Sequence, residues 1–126
     1  MMQVIFSENA PKAIGPYSQA MQTGNLIFVS GQLPVVPETM TVISADVAEQ
    51  AEQSIQNIKA ILATRDLTLN NVVKASVFLS DMADFAAVNA VYSEHFNEIY
   101  PARTCVQVAR LPMEAKVEIE VIAEIA

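Results

Sequence analysis

The chain of 126 residues carries seven basic and fourteen acidic side chains, which leaves a net charge of −7 at pH 7. Hydrophobic residues make up 52% of the chain and charged residues only 17%, fewer than the roughly 25% of a typical soluble domain. These proportions exclude intrinsic disorder, disfavour nucleic acid as a partner because phosphate binding needs clustered lysine and arginine, and indicate an apolar interface between copies of the chain.

The first quarter of the chain holds all three glycines and predicts a β-hairpin. Residues 17–22 and 26–30 form its strands, and Gly24 and Asn25 suit the positive φ that a tight hairpin turn needs. After the second strand we expect the chain to leave the sheet at Gly31, and residues 34–44 to form an irregular loop. A further short strand is predicted near residues 4–6.

Apolar residues at steps of three and four predict two helices. The first begins after Asp46, where Glu49 completes a capping-box pattern. Its apolar stripe consists of Val47, Ala51, Ile55, Ile58 and Leu62. The second begins near Asp81 or Asp84 and ends before Pro101. Its stripe consists of Phe85, Val88, Tyr92, Phe96 and Ile99.

Three further segments, residues 72–79, 103–109 and 116–125, alternate with the period of two that is typical of strands. In the last of them the apolar positions are Val117, Ile119, Val121, Ala123 and Ile125. The order ββ-α-β-α-ββ, with both helices on one face of the sheet, predicts a two-layer α+β sandwich. We expect a single domain spanning residues 1–126.

The short connection between the last two strands suggests that they pair antiparallel. With Ala109 opposite Lys116, Cys105 lies opposite Glu120, and Arg103, Cys105 and Glu118 share one polar face of the sheet. A guanidinium and a carboxylate on one face suit a small carboxylate substrate. The arginine binds the acid in a bidentate fork, and the glutamate moves protons or orients water.

Each of these residues also has a purely structural interpretation. Arg103 and Glu118 can form an exposed cross-strand ion pair, and Cys105 can be a small buried hydrophobic residue. The single histidine, His95, lies beside the second helical stripe, where packing or solvent exposure is favoured over a role as a base. Spacing alone leaves these alternatives open.

What the sequence lacks excludes several kinds of site. One histidine and one cysteine leave no zinc or iron site, and no Walker loop or G-x-G-x-x-G motif is present to bind phosphate. The single cysteine, Cys105, favours a reducing compartment. The N-terminal segment does not resemble a signal peptide, and no apolar run approaches the roughly 20 residues that a membrane helix needs. We therefore expect a cytoplasmic protein with no metal, cofactor or membrane contact.

Motifs at both ends of the chain carry a family resemblance. The N-terminal ones are Asn9-Ala10-Pro11, the segment AIGPYSQ at residues 13–19, Ser30-Gly31-Gln32 and Pro34. The C-terminal ones are PARTCV at residues 101–106, VARLP at 108–112 and VEIE at 117–120. Together they resemble the reactive intermediate deaminase A (RidA, or YjgF) family from end to end. The chain departs from the family at Met40, where relatives usually turn on a glycine, and at Thr104, where serine is commoner.

The resemblance implies a chorismate-mutase-like fold and a homotrimer with active sites between the subunits. It also implies a cofactor-independent deaminase that hydrolyses reactive enamines and imines, 2-iminobutanoate and 2-iminopropanoate, released by dehydratases that use pyridoxal phosphate. The products are 2-oxo acids and ammonia.

By the same resemblance, Arg103 and Glu118 are the catalytic residues, with Arg103 binding the substrate carboxylate. The other substrate-binding positions are Tyr17, Ser30, Gly31, Asn89 and Cys105, and Cys105 is expected to contribute shape and backbone contacts rather than a nucleophile. The alternative is a non-catalytic module that binds carboxylates as a regulator or acts as a chaperone, and the acidic charge disfavours a ribonuclease.

Overall fold

The computed structural model describes all 126 residues, which form eight strands and two helices. The strands are β1 (Gln3–Ile5), β2 (Ala20–Thr23), β3 (Leu26–Gln32), β4 (Val35–Val36), β5 (Thr41–Val42), β6 (Val72–Leu79), β7 (Ala102–Gln107) and β8 (Val117–Glu124). The helices are α1 (Val47–Ala63) and α2 (Phe85–His95). Short 3-10 turns lie at Leu69–Asn71, Met82–Asp84 and Pro112–Glu114.

Six strands form one mixed sheet in the order β1-β2-β3-β8-β6-β7, and only the pair β6–β7 is parallel. Strands β4 and β5 form a separate small hairpin. The two helices pack on each other, and α1 packs on β3 and β8. The predicted α+β class with two helices on a sheet is confirmed, and the sheet is mixed. Neither helix combines the length and hydrophobicity that crossing a membrane requires.

The N-terminal hairpin forms where the glycine pattern predicts it. Thr23 pairs with Leu26, and Gly24 between them has a φ of 57°, the left-handed conformation that glycine adopts without a steric penalty. Three details of the prediction are wrong. The first strand begins at Ala20 and not at residue 17. The chain does not leave the sheet at Gly31, because β3 continues to Gln32, and the expected loop at residues 34–44 contains the β4–β5 hairpin.

Helix α1 begins as its capping signal predicts. The Asp46 carboxylate accepts a hydrogen bond from the Glu49 backbone N–H at 2.9 Å, while the Glu49 carboxylate accepts from the Ser44 hydroxyl instead of completing the capping box. The predicted stripe covers the sheet, and Ile55 and Ile58 are fully buried. Such burial stabilises the helix by about 1.5–3 kcal/mol per large aliphatic side chain.

Helix α2 is shorter than the sequence predicts. It begins at Phe85 after a 3-10 turn that Asp81 caps, and it ends at His95. Phe96 is still buried, but its backbone has left the helical region, and Ile99 is 59% exposed. The prediction that Ile99 belongs to the helical stripe is therefore wrong, because a non-helical connection of six residues joins α2 to β7.

Strand β7 does not pair with β8, and this is the main correction to the predicted topology. It pairs parallel with β6 at the edge of the sheet, whereas β8 lies between β3 and β6. Helix α2 is the crossover that a parallel pair of strands requires. The short connection at residues 108–116 therefore carries the chain past β6 instead of closing a hairpin.

Candidate active site

The outer face of β8 carries two carboxylates, because strict alternation places every second residue under α1. Val117, Ile119 and Val121 are at most 2% exposed. On the opposite face, Glu118 is half-buried and Glu120 is exposed. The prediction that Glu118 faces away from the apolar core is confirmed.

A β-bulge in β3 makes room for Glu118. Val29 pairs with Val121 and Gln32 pairs with Ile119, so β3 holds one residue more than β8 over this interval. Gly31 lies in the bulge, and a Cβ atom placed there would be 2.9 Å from Cδ of Glu118. The absent side chain at Gly31 therefore leaves the space that the Glu118 carboxylate occupies.

A concavity of about 670 Å³ opens beside this carboxylate. Tyr17, Ser30, Gly31 and Glu118 line it, so the fold brings together four of the site residues that the sequence predicts. The Ser30 hydroxyl donates to the Ser18 carbonyl at 2.6 Å, which fixes its orientation. The volume suits a small-molecule ligand.

Gln19 builds one wall of the concavity, and sequence reasoning missed it. The side chain is only 3% exposed; its carbonyl accepts from the Ser7 N–H at 2.6 Å, and its amide donates to the Ser7 and Pro11 carbonyls. These bonds tie the N-terminal segment to the sheet, so that Pro11 and Lys12 reach the concavity. The only available signal was the place of Gln19 in the motif at residues 13–19.

Arg103 lies on the helical side of the sheet, against α2. Its Nη1 donates to Oδ1 of Asn89 at 2.7 Å, and its guanidinium carbon is 4.8 Å from the centre of the Tyr92 ring and 5.7 Å from that of Phe85. Aromatic faces attract cations, so α2 positions the guanidinium both by hydrogen bonding and by its rings. The sequence predicted Asn89 at the site but interpreted Phe85 and Tyr92 only as core residues.

Arg103 and Cys105 share one face of β7, beside Ala75 and Val77 of β6, but the prediction that Glu118 shares this face is wrong. Arg103 lies beside Ala75 of β6, and Glu118 lies beside Phe78, three residues further along the same strand. An odd number of residues separates opposite faces of a strand, so the two side chains leave the sheet in opposite directions. The backbones of Arg103 and Glu118 are also about 10 Å apart across the sheet, because β6 lies between their strands, and about 10 Å apart along the strand direction.

The surroundings change the proton affinity of two of these groups. Burial raises the pKa of Glu118 above 4.5, and the neighbouring Glu120 carboxylate raises it further. Burial also raises the pKa of the Cys105 thiol above 9.0, although the Arg103 guanidinium acts in the opposite direction. The raised pKa brings proton exchange by Glu118 closer to neutral pH and disfavours the nucleophilic thiolate form of Cys105.

The single histidine lies outside this arrangement. Nε2 of His95 is 2.8 Å from Oε1 of Glu52, and this contact links α2 to α1. The structural interpretation of His95 is therefore confirmed. No group of three or more histidine, cysteine or acidic side chains is placed to hold a metal ion.

Comparisons with known proteins agree on one family. The family model described as endoribonuclease L-PSP matches residues 7–125. The 2-iminobutanoate/2-iminopropanoate deaminase of Escherichia coli K12 is 52% identical over 126 residues, which cover 98% of each chain.

Solved structures give the same result. The crystal structure of the YjgF gene product of E. coli superposes with a TM-score of 0.93 at 51% identity, covering 97% of this chain and 98% of that one. The structure of E. coli TdcF with bound serine superposes with a TM-score of 0.94 at 46% identity, covering 98% and 99%. The chain therefore belongs to the endoribonuclease L-PSP family, which is the RidA/YjgF family that its sequence motifs resemble.

Proposed function

We propose that the chain hydrolyses 2-imino acids and their enamine tautomers, 2-iminobutanoate and 2-iminopropanoate among them, to 2-oxo acids and ammonia. The observation that carries this proposal is the 52% identity, over 98% of both chains, to an enzyme named for that reaction. The serine bound to the related TdcF supports a ligand of amino-acid size. The concavity beside Glu118 has room for such a molecule.

A second copy of the chain is needed to complete the site. Arg103 and Glu118 leave opposite faces of one sheet, so a ligand a few ångströms long cannot touch both in one chain. We propose a homotrimer in which one copy supplies Glu118 with Tyr17 and Ser30, and its neighbour supplies Arg103. The sheet face that no helix covers carries apolar side chains such as Phe28 and Val106, at 43% and 41% exposure, that this assembly would bury.

In this site Arg103 binds the substrate carboxylate. Asn89 accepts a hydrogen bond from Nη1 of the guanidinium, and the other guanidinium nitrogens remain free to donate to the substrate. Water, oriented by Glu118, attacks C2 of the iminium and gives a tetrahedral carbinolamine. Proton transfer through Glu118 moves a proton from the added water to the amine nitrogen. The C–N bond then breaks as the carbinolamine hydroxyl gives up its proton, which passes to the departing ammonia, so that one water and one iminium acid yield one 2-oxo acid and one ammonium ion. Positioning dominates the catalysis, because the iminium is already electrophilic.

The charge of the site does not favour RNA cleavage, despite the family's description as an endoribonuclease. Glu118 and Glu120 both line the concavity, and the chain carries a net charge of −7. Carboxylates at this position repel the phosphate backbone that a ribonuclease must bind.

We place the protein in the cytoplasm, where its unpaired Cys105 stays reduced.

A coupled assay tests the proposal. Purified protein is added to a threonine dehydratase reaction, and the formation of 2-oxobutanoate is followed after subtraction of spontaneous hydrolysis. Arg103→Ala and Glu118→Gln should each lower the acceleration by at least about a hundredfold. Arg65→Ala and Glu124→Gln, which remove the same charges away from the concavity, should retain it.

Two results would contradict this function. Full activity of Arg103→Ala would remove the role assigned to the guanidinium. Binding of 2-oxobutanoate without any acceleration by the wild-type protein would favour a carboxylate-binding regulator instead.

A further inference from the structure

Two methionines on separate loops have a backbone conformation that favours glycine. Met40, in the turn between β4 and β5, has a φ of 57°, and Met113, between β7 and β8, has a φ of 59°. A Cβ atom makes this left-handed region unfavourable, whereas glycine adopts it readily. Backbone requirements alone therefore do not explain why long apolar side chains occupy these two positions.

Both methionines line the concavity that contains Glu118. Ile14 and Leu33 join them in the lining and make part of it apolar. Met113 is 54% exposed and Ile14 is 75% exposed, so both present apolar surface that a ligand could cover. Methionine adapts its shape to different apolar groups, because its side chain is unbranched and polarisable.

We propose that Met40 and Met113 form the subsite for the side chain of the 2-imino acid, and that they direct the enzyme towards longer apolar substrates. This inference rests on the proposed function, since it assigns the part of the substrate that Arg103 and Glu118 do not bind. Each methylene group buried against the two methionines favours the longer substrate by roughly fourfold. Imines derived from leucine should therefore be hydrolysed with a higher kcat/KM than those derived from alanine.

The test compares substrates within each variant. An amino-acid oxidase generates imines of alanine, 2-aminobutyrate and leucine in the assay, and kcat/KM is measured for each. In Met40→Gly and in Met113→Gly the ratio of the leucine-derived to the alanine-derived value should fall about tenfold. The alanine-derived value should change less than about twofold, because that substrate does not reach the methionines. Thermal unfolding should show no loss of stability, since glycine suits both backbone positions.

Asp66→Gly and Glu114→Gly are matched controls. Asp66 and Glu114 have φ values of 58° and 54°, but their side chains do not line the concavity. These variants should leave the substrate ratio unchanged.

An unchanged ratio in both methionine variants, with all imines still hydrolysed, would overturn the subsite and leave the deaminase function standing. An equal loss of activity on every imine would also overturn it, because that pattern indicates a structural role. Absence of hydrolysis of any imine by the wild-type protein would instead contradict the proposed function itself.

Discussion

Mixing two inactive variants tests whether Arg103 and Glu118 act from different copies of the chain. In Arg103→Ala every site lacks the guanidinium, and in Glu118→Gln every site lacks the carboxylate. The positions of the two residues on opposite faces of the sheet, beside Ala75 and Phe78 of β6, predict that the variants restore each other. A mixed assembly contains sites that receive Arg103 from one variant and Glu118 from the other.

The expected magnitude follows from random assembly at equal concentrations. A site is complete when its arginine comes from a Glu118→Gln chain and its glutamate comes from an Arg103→Ala chain. Each choice has a probability of one half, so about one quarter of the sites are complete, whatever the number of subunits in a closed ring. Co-expression of the two variants should therefore give about one quarter of the wild-type acceleration of 2-oxobutanoate formation, against almost none for either variant alone.

Co-expression of wild type with the Arg103→Ala, Glu118→Gln double variant provides the control. If each site draws on two copies, about one quarter of the wild-type activity remains at equal amounts, whereas sites built within one chain would leave about one half. A mixture of the single variants that stays inactive, together with half activity in the control, would refute the shared site.

Three further predictions concern the surroundings of these two residues. Because burial and the Glu120 charge both raise the pKa of Glu118, the acid limb of kcat/KM should lie at a higher pH than an ordinary glutamate gives. Glu120→Gln should move that limb to lower pH, and an unmoved limb would contradict the role of the Glu120 charge. Cys105→Ala should keep kcat within a few-fold of wild type, because burial raises the thiol pKa and disfavours the thiolate; loss of all activity would indicate a nucleophile. Gly31→Ala should lower kcat about tenfold with little change in melting temperature, because the new Cβ displaces the flexible end of Glu118. Gly24→Ala is the control: at a φ of 57° it should cost about 1 kcal/mol of folding free energy while activity is retained.

Local periodicity was sufficient to predict most of the elements. The alternation of Val117, Ile119 and Val121 with polar residues predicted β8 and the outward direction of Glu118, because neighbouring residues of a strand must face opposite sides. The stripe of α1 and its Asp46 cap were equally informative, because helix geometry repeats every 3.6 residues. The hairpin turn at Gly24 followed from the conformational freedom of glycine.

The errors arose where a local pattern was extended to a neighbour in space. Ile99 continued the spacing of the second stripe, yet the helix had already ended at His95. The bulge at Gly31 depends on the pairing of β3 with β8, residues that are far apart in the sequence. The hydrogen bonds of Gln19 likewise join segments whose proximity no spacing predicts.

The amino-acid sequence alone gives the residue types of the candidate site and an apolar surplus that suits an assembly. The pairing of β7 with β6 instead of β8 is seen only in the folded chain, and it places Arg103 and Glu118 on opposite faces of the sheet. The physical reason is that alternation relates the residues of one strand to each other, whereas the relation between strands depends on register and on the crossover helix. That long-range pairing separates the arginine from the glutamate in one chain, and this separation is the reason for proposing a site shared between copies.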